Sequence, residues 1–205
     1  MTDQTPTPEQ IAQQLFNRAH SAYWKDKDLP TSLSQGHACI QHALSCAEQS
    51  PPDLANRLHS IAKSAAYNIA SFTWPGWQEP GITITPADLA SGRAAADLNL
   101  RLALELHRPP GPLASAHWLV GIHAMSVHDH AAAHHAFTQY RLIADTAEHR
   151  HLADGYSAVN LLLSTPTPAA TTSFNTAVSE LTKLNTEDSN FFAAQLLTIK
   201  QFFLK

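Results

Sequence analysis

The sequence predicts an all-α fold of about nine helices. Apolar residues recur at spacings of three and four along most of the 205 residues, which is the period of an α-helix. Hydroxyl–proline pairs such as Thr7-Pro8 precede several of these stretches and are typical of helix starts. The strand-like stretch 82–84 is too short and too isolated to found a sheet. Consecutive helices joined by short loops should then pack as antiparallel pairs.

The bounds of each helix follow from start and stop residues. Proline follows a hydroxyl residue at four predicted N-caps, which are Thr7, Ser50, Thr85 and Thr167. Proline- and glycine-rich breakers, such as 108–112, separate the stretches. We predict helices over residues 8–26, 31–48, 51–72, 86–107, 112–127, 129–146, 148–163, 167–184 and 187–204.

The composition and net charge of the chain argue against some classes of function. Hydrophobic residues make up 44% of the chain, enough for a sizeable core, and the net charge of -4 argues against a nucleic-acid partner. Because no apolar run approaches the ~18 residues of a membrane span, and the N-terminus does not resemble a signal peptide, we expect a cytoplasmic protein without a membrane partner. Cys39 and Cys46 would lie about 10 Å apart on one helix, too far for a disulfide.

An internal repeat is visible in the second helix of each predicted pair. Small, apolar and small or aromatic residues stand there at spacings of four and three, and the last three sets start 37 residues apart. The sets are Gly36-Ile40-Ala43, Ala96-Leu100-Ala103, Ala133-Phe137-Tyr140 and Ala170-Phe174-Ala177. A generic antiparallel helical bundle shows similar spacings, so the repeat leaves that alternative open.

The segment 114–145 has Val120-Gly121 in its first predicted helix, Asp129-His130 at the turn, and Ala133 and Phe137 in its second helix. It resembles one tetratricopeptide repeat, a family that has Leu-Gly, an inter-helix turn and a signature alanine and aromatic residue at these positions. The resemblance implies helix pairs stacked as a right-handed superhelix with a concave groove lined by the first helix of each pair. We therefore expect one domain over 1–205, with units 8–48, 51–107, 112–146 and 148–184 and a C-terminal capping helix 187–204.

The resemblance also implies where a partner would bind. The groove-facing residues of the matched repeat would be Ser115, Trp118, Ile122, Met125 and Ser126, which are apolar or neutral. We predict a protein–protein interaction module that binds an apolar peptide segment or a partner helix, with burial worth ~1.5–3 kcal/mol per large side chain. The alternative for Trp118 is that a neighbouring helix covers it.

A loop with two tryptophans is the second candidate contact. Trp74 and Trp77 lie beside proline and glycine in a long connection between predicted helices. Such a loop can present its rings to a partner or fold back to plug the groove. We favour the fold-back interpretation, because exposed tryptophans reduce solubility.

Histidines near the turn after residue 127 suggest an alternative, metal-dependent function. His130 and His134 are four residues apart on one predicted helix face, a spacing at which two imidazoles can hold one metal. Asp129, His123 or His128 could supply a further ligand of a zinc or iron site. Because metalloprotease and phosphate-loop motifs are absent from the sequence, we expect a protein that is not an enzyme and needs no cofactor, with a metal-dependent helical-bundle enzyme as the alternative.

The C-terminal helix is the third candidate surface. Phe191, Leu197 and Phe202 add apolar surface beside the face expected to pack on the preceding helices. A terminal helix of a helical array normally has a polar outer side. This helix is therefore predicted to mediate homodimerisation or to tuck into the groove, and a homodimeric regulatory or assembly factor is a further alternative.

Overall fold

The structure is a computed structural model that describes residues 5–204. Over that range it has nine α-helices, one short 3₁₀ helix and no strand, which confirms the predicted all-α class and helix number. Every helix begins and ends within three residues of its predicted bounds. The helices are α1 (Pro8–Trp24), α2 (Leu29–Ala47), α3 (Pro52–Phe72), α4 (Pro86–Glu105), α5 (Pro110–Ser126), α6 (His130–Ile143), α7 (Ala147–Ser164), α8 (Pro168–Leu184) and α9 (Glu187–Phe203), and the 3₁₀ helix covers Pro75–Trp77.

The helix starts follow the predicted capping chemistry at three of four positions. The side chains of Thr7, Thr85 and Thr167 each accept a hydrogen bond from the backbone N–H three residues later, so these predicted N-caps are confirmed. The predicted N-cap at Ser50 is wrong. Its Oγ donates to the backbone carbonyl of Cys46 at 2.7 Å, and α3 begins without a side-chain cap. Ser50 therefore closes α2 instead of opening α3.

The chain divides into two compact units. Unit 1 comprises Met1–Thr73 and Glu79–Arg108, and unit 2 comprises Trp74–Gln78 and Pro109–Lys205. In unit 1, α1 to α4 pack on one another in chain order and α1 also contacts α3. In unit 2, α5 to α9 pack in chain order, α7 also contacts α9, and the 3₁₀ helix packs on α9. The single domain over 1–205 and its right-handed superhelical stacking stay predictions.

Glycines allow close approach between helices of unit 2. A Cβ atom on Gly121 of α5 would lie 2.4 Å from a ring carbon of Phe137 on α6. A Cβ atom on Gly155 of α7 would lie 2.2 Å from Cδ1 of Leu196 on α9. Since real Cβ atoms do not approach carbon that closely, a side chain at Gly121 would collide with the Phe137 ring, and one at Gly155 would require the flexible end of Leu196 to shift.

The repeated small and apolar residues lie in the core. All twelve residues of the four predicted sets are buried except Leu100, which is half-buried. Large members such as Phe137 and Phe174 are at most 1% exposed. The spacing of four and three therefore marks the packed face of α2, α4, α6 and α8.

Membrane-spanning helices and disulfides are two features that the sequence argues against. None of the helices between residues 5 and 204 combines the length and apolar character that a membrane span needs. Cys39 and Cys46 are both free thiols, as their spacing on one helix predicts.

Candidate functional site

The large side chains of the predicted groove lie inside the protein. Trp118 is 7% exposed, and Ile122 and Met125 are 0% exposed. Ser115 and Ser126, at the two ends of the set, are half-buried. The three residues predicted to anchor an apolar ligand are thus core residues in this structure, and a partner reaches them only if neighbouring side chains move.

Trp74 is one of the side chains that enclose this region of α5. It is 0% exposed, and its ring centroid lies 6.0 Å from Trp118, 6.3 Å from Tyr156 and 6.3 Å from Phe203. Trp77 packs edge-on against it at 5.1 Å. Such edge-to-face and offset arrangements stabilise aromatic pairs beyond simple burial. We call Trp74, Trp77, Trp118, Tyr156 and Phe203 the aromatic cluster.

Hydrogen bonds and a glycine hold Trp74 in place. Its Nε1–H donates to Ser126 Oγ at 3.1 Å, and that hydroxyl donates to the Ile122 carbonyl at 2.8 Å. A Cβ atom at Gly76 would lie 2.3 Å from the Trp74 ring, so the 3₁₀ turn can close over the indole only with glycine there. The loop therefore places Trp74 inward, as the fold-back interpretation proposes.

The histidine region is used largely for helix capping and helix pairing. The Asp129 side chain accepts from the Ala132 N–H at 3.2 Å and caps α6. His130 Nδ1 donates to Asn160 Oδ1 at 2.9 Å, and Asn160 Nδ2 donates back to the His130 carbonyl at 3.0 Å. His123 is 0% exposed within α5, whereas His134 is exposed on α6.

These residues are not assembled as a metal site. Among residues 5–204, no three His, Cys, Asp or Glu side chains are grouped so that they could hold a metal ion. His130 and His134 lie on one helix as predicted. Asp129 instead caps α6, and His123 is buried within α5. The zinc or iron cofactor stays an untested alternative to the prediction that the protein needs none.

The outer side of α9 exposes apolar residues. Phe191 is 59% exposed and Leu197 is 53% exposed. Phe202 is half-buried, with its ring 4.9 Å from that of Phe203. Two of the three residues predicted for a dimer or capping contact thus present more than half of their surface to solvent.

A cavity opens on unit 2 between α6, α7 and α8. It has a volume of about 740 Å³, and more of its lining residues come from α7 than from α6 or α8. The stretch of α7 that lines it, residues 151–164, is about 20 Å long at 1.5 Å per residue. We call this cavity the α7 groove. It is lined by His130, Ala131, His134, His151, Asp154, Ser157, Ala158, Asn160, Leu161, Ser164, Thr172, Ser173, Thr176, Ala177 and Glu180.

The charged residues of the α7 groove already have partners of opposite charge. Asp154 Oδ1 accepts from Arg141 Nε at 2.5 Å. Glu180 Oε1 accepts from Lys183 Nζ at 2.6 Å, and this hydrogen bond and charge lower the pKa of the Glu180 carboxyl. Each carboxylate of the α7 groove is therefore balanced by a basic side chain of the same unit.

Three hydroxyl groups of the α7 groove have no hydrogen-bond partner in the described part of the chain. Ser157, Ser173 and Thr176 make no side-chain hydrogen bond with any other residue in the part of the chain that the structure describes. Ser157 comes from α7, and the other two come from one face of α8. Three free hydroxyls therefore converge on one cavity from two helices.

Sequence reasoning did not find the α7 groove. Residues 151, 154, 157, 161 and 164 recur at helical spacing, but a polar stripe on a helix is usually a solvated face. Neither the pattern on α7 nor the similar one on α8 shows that the two stripes face each other across a cavity. That information lies in the packing of the three helices.

Comparison of the chain with protein-family models, with curated proteins and with solved structures gives no match. The resemblance of residues 114–145 to a tetratricopeptide repeat therefore stays a prediction.

Proposed function

We propose that this chain is a non-enzymatic interaction protein that binds a peptide segment of a partner in the α7 groove. The observation that carries the proposal is the open cavity of about 740 Å³, with free hydroxyls on its walls. Its volume falls within the roughly 300–1,000 Å³ typical of ligand sites. The stretch of α7 that lines it, about 20 Å long, matches the length of about six residues of extended peptide.

The surface chemistry supports a peptide over a strongly charged ligand. Ala158, Leu161 and Ala177 add apolar surface to the cavity lining, and Leu161 is 44% exposed. Free hydroxyls can donate to and accept from the backbone of a peptide. Because both carboxylates are paired with basic residues of the same unit, a cationic ligand would have to compete with internal ion pairs.

The alternative binding surface is the predicted groove on α5. An apolar peptide there would have to displace Trp74, which is fully enclosed and hydrogen-bonded to Ser126. Exposure of so large an apolar side chain costs several kcal/mol. The α7 groove requires no such rearrangement, and we therefore favour it as the binding surface.

A pair of serine variants on α8 tests the proposal. Ser173 and Ser179 are both exposed, but only Ser173 lines the groove. Ser173→Trp should fill part of the cavity with an indole, whereas Ser179→Trp places the same group elsewhere on the helix. Peptides enriched on the wild-type chain from a random display library should bind Ser173→Trp at least about tenfold more weakly, a loss of roughly 1.4 kcal/mol, and bind Ser179→Trp unchanged.

The readout is fluorescence anisotropy with synthetic copies of the enriched peptides. If the library yields no binder, or if its binders tolerate both tryptophans equally, the α7 groove is not a peptide site. Circular dichroism of both variants checks that the helical content is retained.

A second candidate function is homodimerisation through α9. The supporting observation is the exposure of Phe191 and Leu197, at 59% and 53%. A second copy of the chain would cover these side chains in a two-fold contact. Light scattering after size-exclusion chromatography should then give a dimer for the wild type and a monomer for Leu197→Glu; a wild-type monomer at micromolar concentration would contradict this function.

A further inference from the structure

Lys63 is an unusual residue of unit 1. Among residues 5–204 it is the one Lys, Arg, Asp or Glu that is buried, with 9% of its surface exposed. Buried charged groups are normally paired, because removal of an ion from water costs several kcal/mol. Within residues 5–204 Lys63 has no carboxylate partner, although surface cations such as Arg57 and Arg101 do. Its ammonium nitrogen is not completely enclosed.

A second cation lies next to this lysine. Arg108 Nη2 donates to Ser60 Oγ at 2.6 Å, and Ser60 lies one turn before Lys63 on α3. Arg108 likewise forms no ion pair with any residue of the described range. Burial, and then the positive charge of Arg108, lower the pKa of the Lys63 amine. Two cations therefore share one half-buried region in which the described part of the chain places no compensating anion.

Hydrogen bonds fix the backbone from which both side chains extend. The Arg108 N–H donates to the Ala103 carbonyl at 2.9 Å, where the chain turns at the end of α4. His107, just before it, has a positive φ of 48°, the left-handed conformation that ends many helices. The Lys63 carbonyl accepts from Asn99 Nδ2 at 2.9 Å, so α3 and α4 are joined beside the cations.

We propose that Lys63 and Arg108 form a binding site for an oxyanion with two negative charges, of the phosphate class. A dianion would neutralise both cations. The guanidinium of Arg108 spends one of its five N–H donors on Ser60, and the others can bind oxyanion oxygens in the paired geometry typical of arginine. The Lys63 ammonium adds three donors as a point charge. This site is independent of the α7 groove, which lies in the other unit.

Thermal unfolding with inorganic phosphate tests the site. A ligand that binds only the folded chain raises the melting temperature by mass action. Phosphate at about ten times its dissociation constant should therefore raise the melting temperature of the wild type by roughly 2–5 °C. The reference is sodium chloride of equal ionic strength. Lys63→Met, which keeps the aliphatic length, should lose this response. Arg57→Gln is the matched control, because Arg57 lies on the same helix but is paired with Glu9, and it should respond as the wild type does.

The variants separate binding from a general salt effect. Phosphate strengthens the burial of apolar surface in most proteins, so an equal rise in the wild type and in Lys63→Met would overturn the proposal. Sulfate should act like phosphate, and acetate at the same ionic strength should not; an equal response to acetate would also contradict it. In chloride alone Lys63→Met should melt at or above the wild-type temperature, since it removes an unpaired buried charge. If that variant does not fold, Arg108→Gln replaces it in the same comparison.

Discussion

The two faces of α7 show how one helix can line both the core and an open cavity. Tyr156 is 0% exposed and packs in the aromatic cluster, whereas its neighbour Ser157 lines the α7 groove. On the cluster side, large rings from α5, α9 and the 74–78 segment fill the space. On the groove side, hydroxyl and alanine side chains leave a cavity of about 740 Å³.

The difference between these faces lies in side-chain volume as much as in polarity. Aromatic rings each bury 150–250 Å² and interlock, so the cluster side is closed by residues of the chain itself. Serine, threonine and alanine are too small to span the gap between α6 and α8. The resemblance to a tetratricopeptide repeat places binding on the first-helix side, but in this chain the open surface lies on the opposite face of α7.

The largest expected effect is the loss of Trp74. Trp74→Ala should lower the free energy of unfolding by about 3–5 kcal/mol, because it removes a fully buried indole and leaves a cavity among Trp118, Tyr156 and Phe203. Urea denaturation followed by circular dichroism measures the change. Trp24→Ala is the matched control: Trp24 is 48% exposed, and its loss should cost about 1 kcal/mol or less.

Equal costs for the two tryptophans would show that the 74–78 segment is not part of the core. If Trp74→Ala folds and gains affinity for apolar peptides, while the α7 groove binds none, then the binding surface is the α5 groove that the resemblance predicts. The same variant thus tests both faces of α7.

Helix positions could be predicted from the sequence because the signals are local. Apolar spacing and the threonine caps at Thr7, Thr85 and Thr167 act within a few residues, and the structure confirms them. The failure at Ser50 is also local in origin. Its hydroxyl has two backbone groups within reach, and the carbonyl of Cys46 in the preceding turn is the one that it binds.

The candidate sites depend on contacts between distant residues and could not be predicted in this way. Nothing near Trp118 in the sequence indicates that Trp74, far earlier in the chain, covers it. Lys63 looks in the sequence like an ordinary solvated lysine beside an apolar stripe. Its burial and its unpaired charge become visible only when Arg108, from the end of α4, is placed beside α3.

The smallest expected effect lies on the rim of the α7 groove, where exposed charges are screened by water. Lys183→Met should raise the pKa of Glu180, because the hydrogen bond and charge of Lys183 lower it in the wild type. A carboxyl with a lowered folded-state pKa contributes stability above its unfolded value, and that stability is lost as the pH falls through the folded pKa. An NMR titration of the Glu180 carboxyl carbon between pH 2 and 6 measures the shift. The control is Lys25→Met, because Lys25 forms no ion pair in the described chain. If the Glu180 titration is identical in the wild type and in Lys183→Met, the ion pair does not persist in solution. The α7 groove then carries a free negative charge.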